Sequence, residues 1–111
     1  MDEIDAEMPA PPPLRFEIGS DEHGTPVVRI SGELDIATVP QLDEALEPVL
    51  ARRPQRLVLD LEELRFADSS ALAKLILWRR QVGEMELRKP SPLLRRVIQS
   101  MGLSDTLEMS S

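Results

Sequence analysis

From Leu14 to Met109 the apolar residues switch repeatedly between a repeat of two and a repeat of about 3.6, and this alternation constrains the fold more than any other feature. Leu14, Phe16 and Ile18 alternate with Arg15 and Glu17, the signature of a half-buried strand. Asp21-Glu22-His23-Gly24 is turn chemistry, and Pro26 to Ser31 gives a second strand, so the two predict a hairpin. Gly32-Glu33-Leu34-Asp35 reads as a loop. Thr38-Val39-Pro40-Gln41 then reads as a helix start, with Thr38 as N-cap, proline in the first turn and Gln41 closing a capping box. Val39, Leu42, Ala45, Leu46, Val49 and Leu50 follow at helical spacing. Pro48 interrupts them and predicts a kink, and Pro54 marks the end.

Leu57 to Leu61 is a short, almost continuous apolar run, as expected of a strand buried on both faces. A second helix is predicted from about Asp68-Ser69 to Gln81, stopped by Gly83, with a short strand at Met85 to Arg88. Ser91-Pro92 opens a third helix whose buried face is predicted to carry Leu93, Leu94, Val97, Ile98 and Met101, with Gly102 as the stop. Leu107 to Met109 adds a last short strand. The order β-β-α-β-α-β-α-β defines one α/β domain: a mostly parallel mixed sheet with an N-terminal hairpin and helices packed against it.

The chain has 111 residues and a formal charge of −7. Asp2, Glu3, Asp5 and Glu7, with no basic residue, give Met1–Pro13 a charge of −4, leaving −3 for residues 14–111. That proline-rich segment has too few apolar side chains to offset ordering entropy and reads as a disordered tail. With no cysteine, thiolate metal sites, disulfides and cysteine nucleophiles are excluded, and a single histidine leaves little basis for a catalytic triad. The acidic balance argues against nucleic-acid binding. No apolar run is long enough for a membrane helix and no signal peptide opens the chain, so a cytoplasmic protein is expected.

His23 reads as a surface-turn residue. Asp60, Glu62 and Glu63 form a small acidic cluster at a strand end and read as a solvated loop, since no phosphate-cradling glycine loop accompanies them. Arg79-Arg80 and Arg95-Arg96 read as helix-end charges, and Trp78 as core. Asp68-Ser69-Ser70-Ala71 stands apart, because it places hydroxyls where a helix N-terminus leaves N–H groups unpaired. A simple N-cap accounts for it, and so does a phosphoacceptor serine whose added charge the helix N-terminus holds. A serine hydrolase does not, for want of a nucleophile elbow and a base.

Val28-Arg29-Ile30-Ser31-Gly32-Glu33-Leu34-Asp35, then Leu57-Val58-Leu59-Asp60-Leu61, then Phe66-Ala67-Asp68-Ser69-Ser70-Ala71-Leu72 closely resemble the STAS domain family, within it the stand-alone bacterial anti-sigma factor antagonists. Pro90-Ser91-Pro92, Arg95-Arg96-Val97 and Met101-Gly102-Leu103 fit the family's C-terminal helix. The resemblance implies a partner switch, not an enzyme. An anti-sigma factor that is also an ATP-dependent serine kinase would phosphorylate Ser69, and a protein phosphatase would reset it. ATP and Mg²⁺ would belong to the kinase, so the chain needs no cofactor of its own. The implied partner-binding residues are Gly32, Glu33, Asp35, Thr38, Asp68, Ser69, Ser70 and Ala71, the last standing where the family usually has glycine. Ser70-Ala71-Leu72-Ala73 and Trp78 also resemble STAS proteins of lipid-transport ABC systems. That alternative implies a transporter ATPase as partner, without phosphorylation.

Overall fold

The computed structural model describes residues 13–110. The segment expected to be a disordered tail lies outside the described residues except for Pro13. Element order is β1 (Leu14–Ser20), β2 (Pro26–Leu34), α1 (Val39–Ala51), β3 (Arg56–Ala67), α2 (Ser69–Arg79), β4 (Glu84–Arg88), α3 (Pro92–Ser100) and β5 (Glu108–Ser110). The five strands form one sheet in the order β1-β2-β3-β4-β5. β1 runs antiparallel to β2, and every later pairing is parallel, as the strand–helix alternation predicts.

Side chains of one parity build the core. Val28, Ile30 and Leu34 of β2, Leu57, Leu59, Leu61 and Leu64 of β3, and Met85 and Leu87 of β4 pack against the buried stripes of all three helices. Among the described residues the opposite face of the sheet carries no helix. It is a polar surface on which Arg56 bonds Glu84, Glu86 and Glu108, while Arg88 and Ser110 also donate to Glu86. Glu86 is 7 % exposed. Burial alone would raise its pKa, but the hydrogen bonds from Ser110, Arg88 and Arg56 outweigh it and hold the carboxyl at about 2. Val58 is buried on this face, beside Val27 and Glu86 in the ladder. β3 is thus covered on its second face by charged side chains, where a second helical layer would be usual for a strand buried on both sides.

Several boundaries differ from the sequence reading, for identifiable reasons. Gly32–Leu34 is strand, not loop, and β3 extends through Glu62–Ala67. Register shifts between Arg29 and Ser31 and between Gly32 and Glu33 break the period of two, and this hides the strand in the sequence. Gly32 has φ +96°, and a Cβ there would lie 2.2 Å from the Pro13 carbonyl oxygen, which accepts from the Glu33 N–H. Only glycine fits. α2 ends at Arg79, two residues short of Gln81, whereas α1 runs Val39–Ala51 with Pro48 inside it, ending before Pro54 as expected. In α3, Leu94 and Ile98 are buried, but Leu93 and Met101 are exposed, and Arg95-Arg96 fall in its middle, not at its end. Trp78 is fully buried, and its Nε1–H donates to Asp43 Oδ1 at 2.8 Å while Lys74 Nζ bonds Oδ2, joining α2 to α1. No helix among the described residues is long and apolar enough to cross a membrane.

Candidate functional site

The site forms where β2 and β3 end side by side. Leu34 pairs with Ala67, so the next residues, Asp35 and Asp68, leave the sheet as neighbours. The Asp68 N–H donates to the Leu34 carbonyl at 3.2 Å, which fixes that exit. Asp68 has extended backbone (φ −98°, ψ −173°) and caps α2, with Oδ1 accepting the Ala71 N–H at 3.1 Å. Its Oδ2 accepts the Ile36 N–H at 3.1 Å, across 32 residues of sequence. One carboxylate therefore ties the start of α2 to the loop that precedes α1.

That loop is fastened a second time. Asp35 Oδ1 accepts the N–H groups of Ala37 and Thr38, both at 3.0 Å. Thr38 Oγ1 accepts the Asp35 N–H at 2.9 Å and donates to the Glu33 carbonyl at 2.9 Å. The predicted capping box does not form: Thr38 makes no side-chain cap bond to α1, because its hydroxyl is engaged with the loop behind it.

Ser69 is the first residue of α2 and is exposed, with Ser70 half-buried beside it. Among the described residues neither backbone N–H has a hydrogen-bond partner, whereas the Ala71 and Leu72 N–H groups are satisfied by Asp68. Ser69 thus sits at the positive end of α2, directly after Asp68, whose carboxylate is tied to the loop that carries Asp35 and Ile36. This arrangement offers an accessible oxygen nucleophile to an incoming reagent and a local seat for an added anion. Both Asp68 oxygens accept backbone N–H groups, so this carboxylate is fixed in place by the two segments it joins.

The residues proposed from sequence divide into two groups. Asp68, Ser69 and Ser70 open α2, Asp35 leaves the sheet beside Asp68, and the exposed Glu33 pairs with Phe66 in the ladder just before that exit. Thr38 and Ala71, at 3 % and 0 % exposure, have no surface to offer a partner. Thr38 orders the loop from beneath, and the Ala71 methyl points into the core instead of adding to a docking surface. Gly32 shapes the end of β2 through its backbone.

Sequence reasoning missed the apolar part of the surface. Ile36 is 75 % exposed at the tip of the tied loop. From Ser69 an exposed stripe continues along α2 through Ala73 to Leu77, so the helix is apolar on both sides. Phe66 is also exposed, at the mouth of a cleft of about 130 Å³ formed with Ala67, Leu93 and Val97. Ile36 was detectable in principle, because it is an apolar residue that fits neither β2 nor the periodicity of α1.

The remaining sequence candidates lie elsewhere. His23 sits in the hairpin turn, its N–H donating to Asp21 Oδ1. Asp60 faces Arg29 and Glu62 faces Lys89, and no group of three or more potential metal ligands converges among the described residues.

A five-stranded mixed sheet with three helices, and an exposed serine at a helix start directly after a capping aspartate, define a small α/β domain. The chain belongs to the STAS family: residues 19–109 match the family model described as the Mlab STAS domain. It is 32% identical over 107 residues to the anti-sigma-F factor antagonist RsfB of Mycobacterium tuberculosis, covering 94% of this chain and 87% of that protein. The crystal structure of an anti-sigma factor antagonist from Mycobacterium paratuberculosis matches with a TM-score of 0.80 at 30% identity, over 93% of this chain and 90% of the other. The Bacillus cell fate determinant SpoIIAA in its phosphorylated form matches with a TM-score of 0.69 at 26% identity, over 87% and 92% of the two chains.

Proposed function

We propose that this protein is an anti-sigma factor antagonist that binds an anti-sigma factor when Ser69 is unmodified and is released when Ser69 is phosphorylated. The observation that carries the reading is the placement of Ser69: exposed and first in α2, where among the described residues its N–H and that of Ser70 have no partner, directly after the Asp68 carboxylate that holds the exposed Ile36 loop. The relatives' names and the phosphorylated state of the SpoIIAA structure support it.

In the transfer step the Ser69 hydroxyl oxygen bonds to the γ-phosphorus of ATP, the bond to the β–γ bridging oxygen breaks, and ADP leaves. The serine proton passes to a base on the kinase. This chain is substrate and ligand, and the catalysis belongs to the partner. The phosphate adds a charge of about −1.5 to −2. Within the domain the free N–H groups of Ser69 and Ser70 and the α2 dipole offset that charge, so the fold tolerates it. At the partner's surface nothing offsets it. A contact built around a neutral serine and exposed Ile36 then holds a desolvated dianion beside two carboxylates, and the complex separates. A phosphatase restores the binding form.

Incubation with an anti-sigma factor kinase and Mg-ATP should add one phosphate by intact mass, abolished in Ser69→Ala. Ser69→Asp should weaken kinase binding at least ten-fold by calorimetry while retaining the wild-type unfolding midpoint. No phosphate from any such kinase in the same genome, together with a stable complex with an ABC transporter ATPase, would replace this reading with the transport-associated one.

A further inference from the structure

The two edges of the sheet are built differently. β5 is three residues long and its Glu108 is held by Arg56. β1 is seven residues long, and among the described residues nothing pairs with its outer side. The bonds from Asp21 N–H to Thr25 O and from Glu33 N–H to Pro13 O fix which residues of β1 point their backbone at β2. With the observed register, Arg15, Glu17 and Gly19 bond to β2, and Leu14, Phe16, Ile18 and Ser20 direct their N–H and C=O groups outward. Such a row is a template for another strand.

We propose that β1 is a self-complementary edge through which two copies of this chain pair antiparallel about a two-fold axis at Phe16. The charges choose the register. With Phe16 opposite Phe16, Leu14 faces Ile18 of the second copy, and Arg15 faces Glu17 twice. The three outward-pointing residues then meet one another as hydrogen-bonded pairs, and the Arg–Glu pairs occupy the closer, non-hydrogen-bonded positions. Sliding by one step in either direction centres the axis on Glu17 opposite Glu17 or on Arg15 opposite Arg15, which like charge disfavours.

The apolar side agrees. Phe16 and Ile18 lie on the helix-covered face, opposite Ile30 and Val28, yet Ile18 is 40 % exposed and Phe16 only half-buried, because the core stops at the edge. Pairing joins Leu14, Phe16 and Ile18 of both copies into one continuous strip. Pro11, Pro12 and Pro13 precede β1, and proline has no N–H to donate to a ladder, so a short contact of modest affinity is expected. The contact is isologous, as a closed two-fold dimer requires. It yields a ten-stranded sheet in which the two Ser69 sites stand at opposite ends, both accessible, so one dimer offers two identical docking faces.

The test uses the full chain and two exposed substitutions, Arg15→Glu and Glu17→Arg. Sedimentation equilibrium from about 10 µM to about 1 mM should show reversible dimerisation of the wild type. Each variant alone sets like charges opposite each other twice and should weaken dimerisation about ten-fold or more. An equimolar mixture restores two opposite-charge pairs and should form a heterodimer. Since the chain has no cysteine, Phe16→Cys and Ile18→Cys provide a geometric check. Phe16→Cys should oxidise to a disulfide-linked dimer, its Cα atoms meeting at about 5.5 Å, within bonding range. Ile18→Cys should not, its two copies lying more than about 10 Å apart. A chain that stays monomeric throughout, or variants that associate no better mixed than alone, would overturn the proposal.

Discussion

Replacing Asp68 by alanine tests the central structural claim, that one carboxylate holds together both halves of the site. The substitution removes the acceptor of two backbone N–H groups, those of Ala71 and Ile36. Loss of an N-cap side chain costs about 1 kcal/mol, within a range of about 0.5–2. The bond to Ile36 is exposed, so water takes over the freed N–H and the loss is about 0.5 kcal/mol, the low end for a net hydrogen bond. Together the destabilisation is about 1.5 kcal/mol, which in a domain of this size lowers Tm by about 6–12 °C. Trp78, the only tryptophan and fully buried, reports urea unfolding by fluorescence. The midpoint should fall with the m-value unchanged. Hydrogen exchange supplies the local readout: the Ile36 amide should exchange faster in Asp68→Ala, and Asp68→Asn, with one neutral carbonyl oxygen, should lose roughly half as much stability. A destabilisation below about 0.5 kcal/mol, or an Ile36 amide that exchanges no faster than in wild type, would refute the tether.

Other expectations follow from the same geometry. Gly32→Ala should destabilise by about 3 kcal/mol or more, since it adds both a strained positive φ and a clash with the Pro13 carbonyl; a circular-dichroism melt near that of wild type would show that this segment gives way. Ala71→Gly removes a buried methyl from inside a helix and should cost about 1.5–2 kcal/mol in urea, while leaving Ser69 phosphorylation within two-fold of wild type. Glu86, held at about 2 when folded, against about 4.3 for an ordinary glutamate, contributes stability that is complete above about pH 4.3 and is lost as pH falls through 2. Glu86→Gln should therefore flatten the acid side of the pH–stability profile, measured as the urea midpoint from pH 6 down to pH 2.

Much of the architecture was legible because it is written in local repeats. The alternation in Leu14–Ile18, the apolar run Leu57–Leu61 and the stripe from Val39 to Leu50 each identify an element without knowledge of its neighbours, and their order implies a parallel sheet. Ser91 before Pro92 marked the start of α3, and its Oγ does accept the Leu94 N–H. The ends of β2 and β3 were illegible because a register shift places two exposed residues, Glu62 and Glu63, between buried Leu61 and Leu64, and no period survives that. Exposure of Leu93 was equally hidden: it has a helical spacing to Val97, but the stripe that meets the sheet runs through Leu94 and Ile98.

The serine at a helix start, with Asp68 before it as the cap, was determined by the sequence alone, since the capping preference of Asp68 and the apolar run after it are properties of consecutive residues. That Asp35 and Asp68 stand side by side, that Ile36 is held outward, and that Thr38 and Ala71 lie beneath the surface were decided by the tertiary structure. The physical reason is the reach of the interactions. Capping and periodicity act within a turn, whereas the bond from the Ile36 N–H to Asp68 spans 32 residues and exists only once β2 and β3 have paired to their ends.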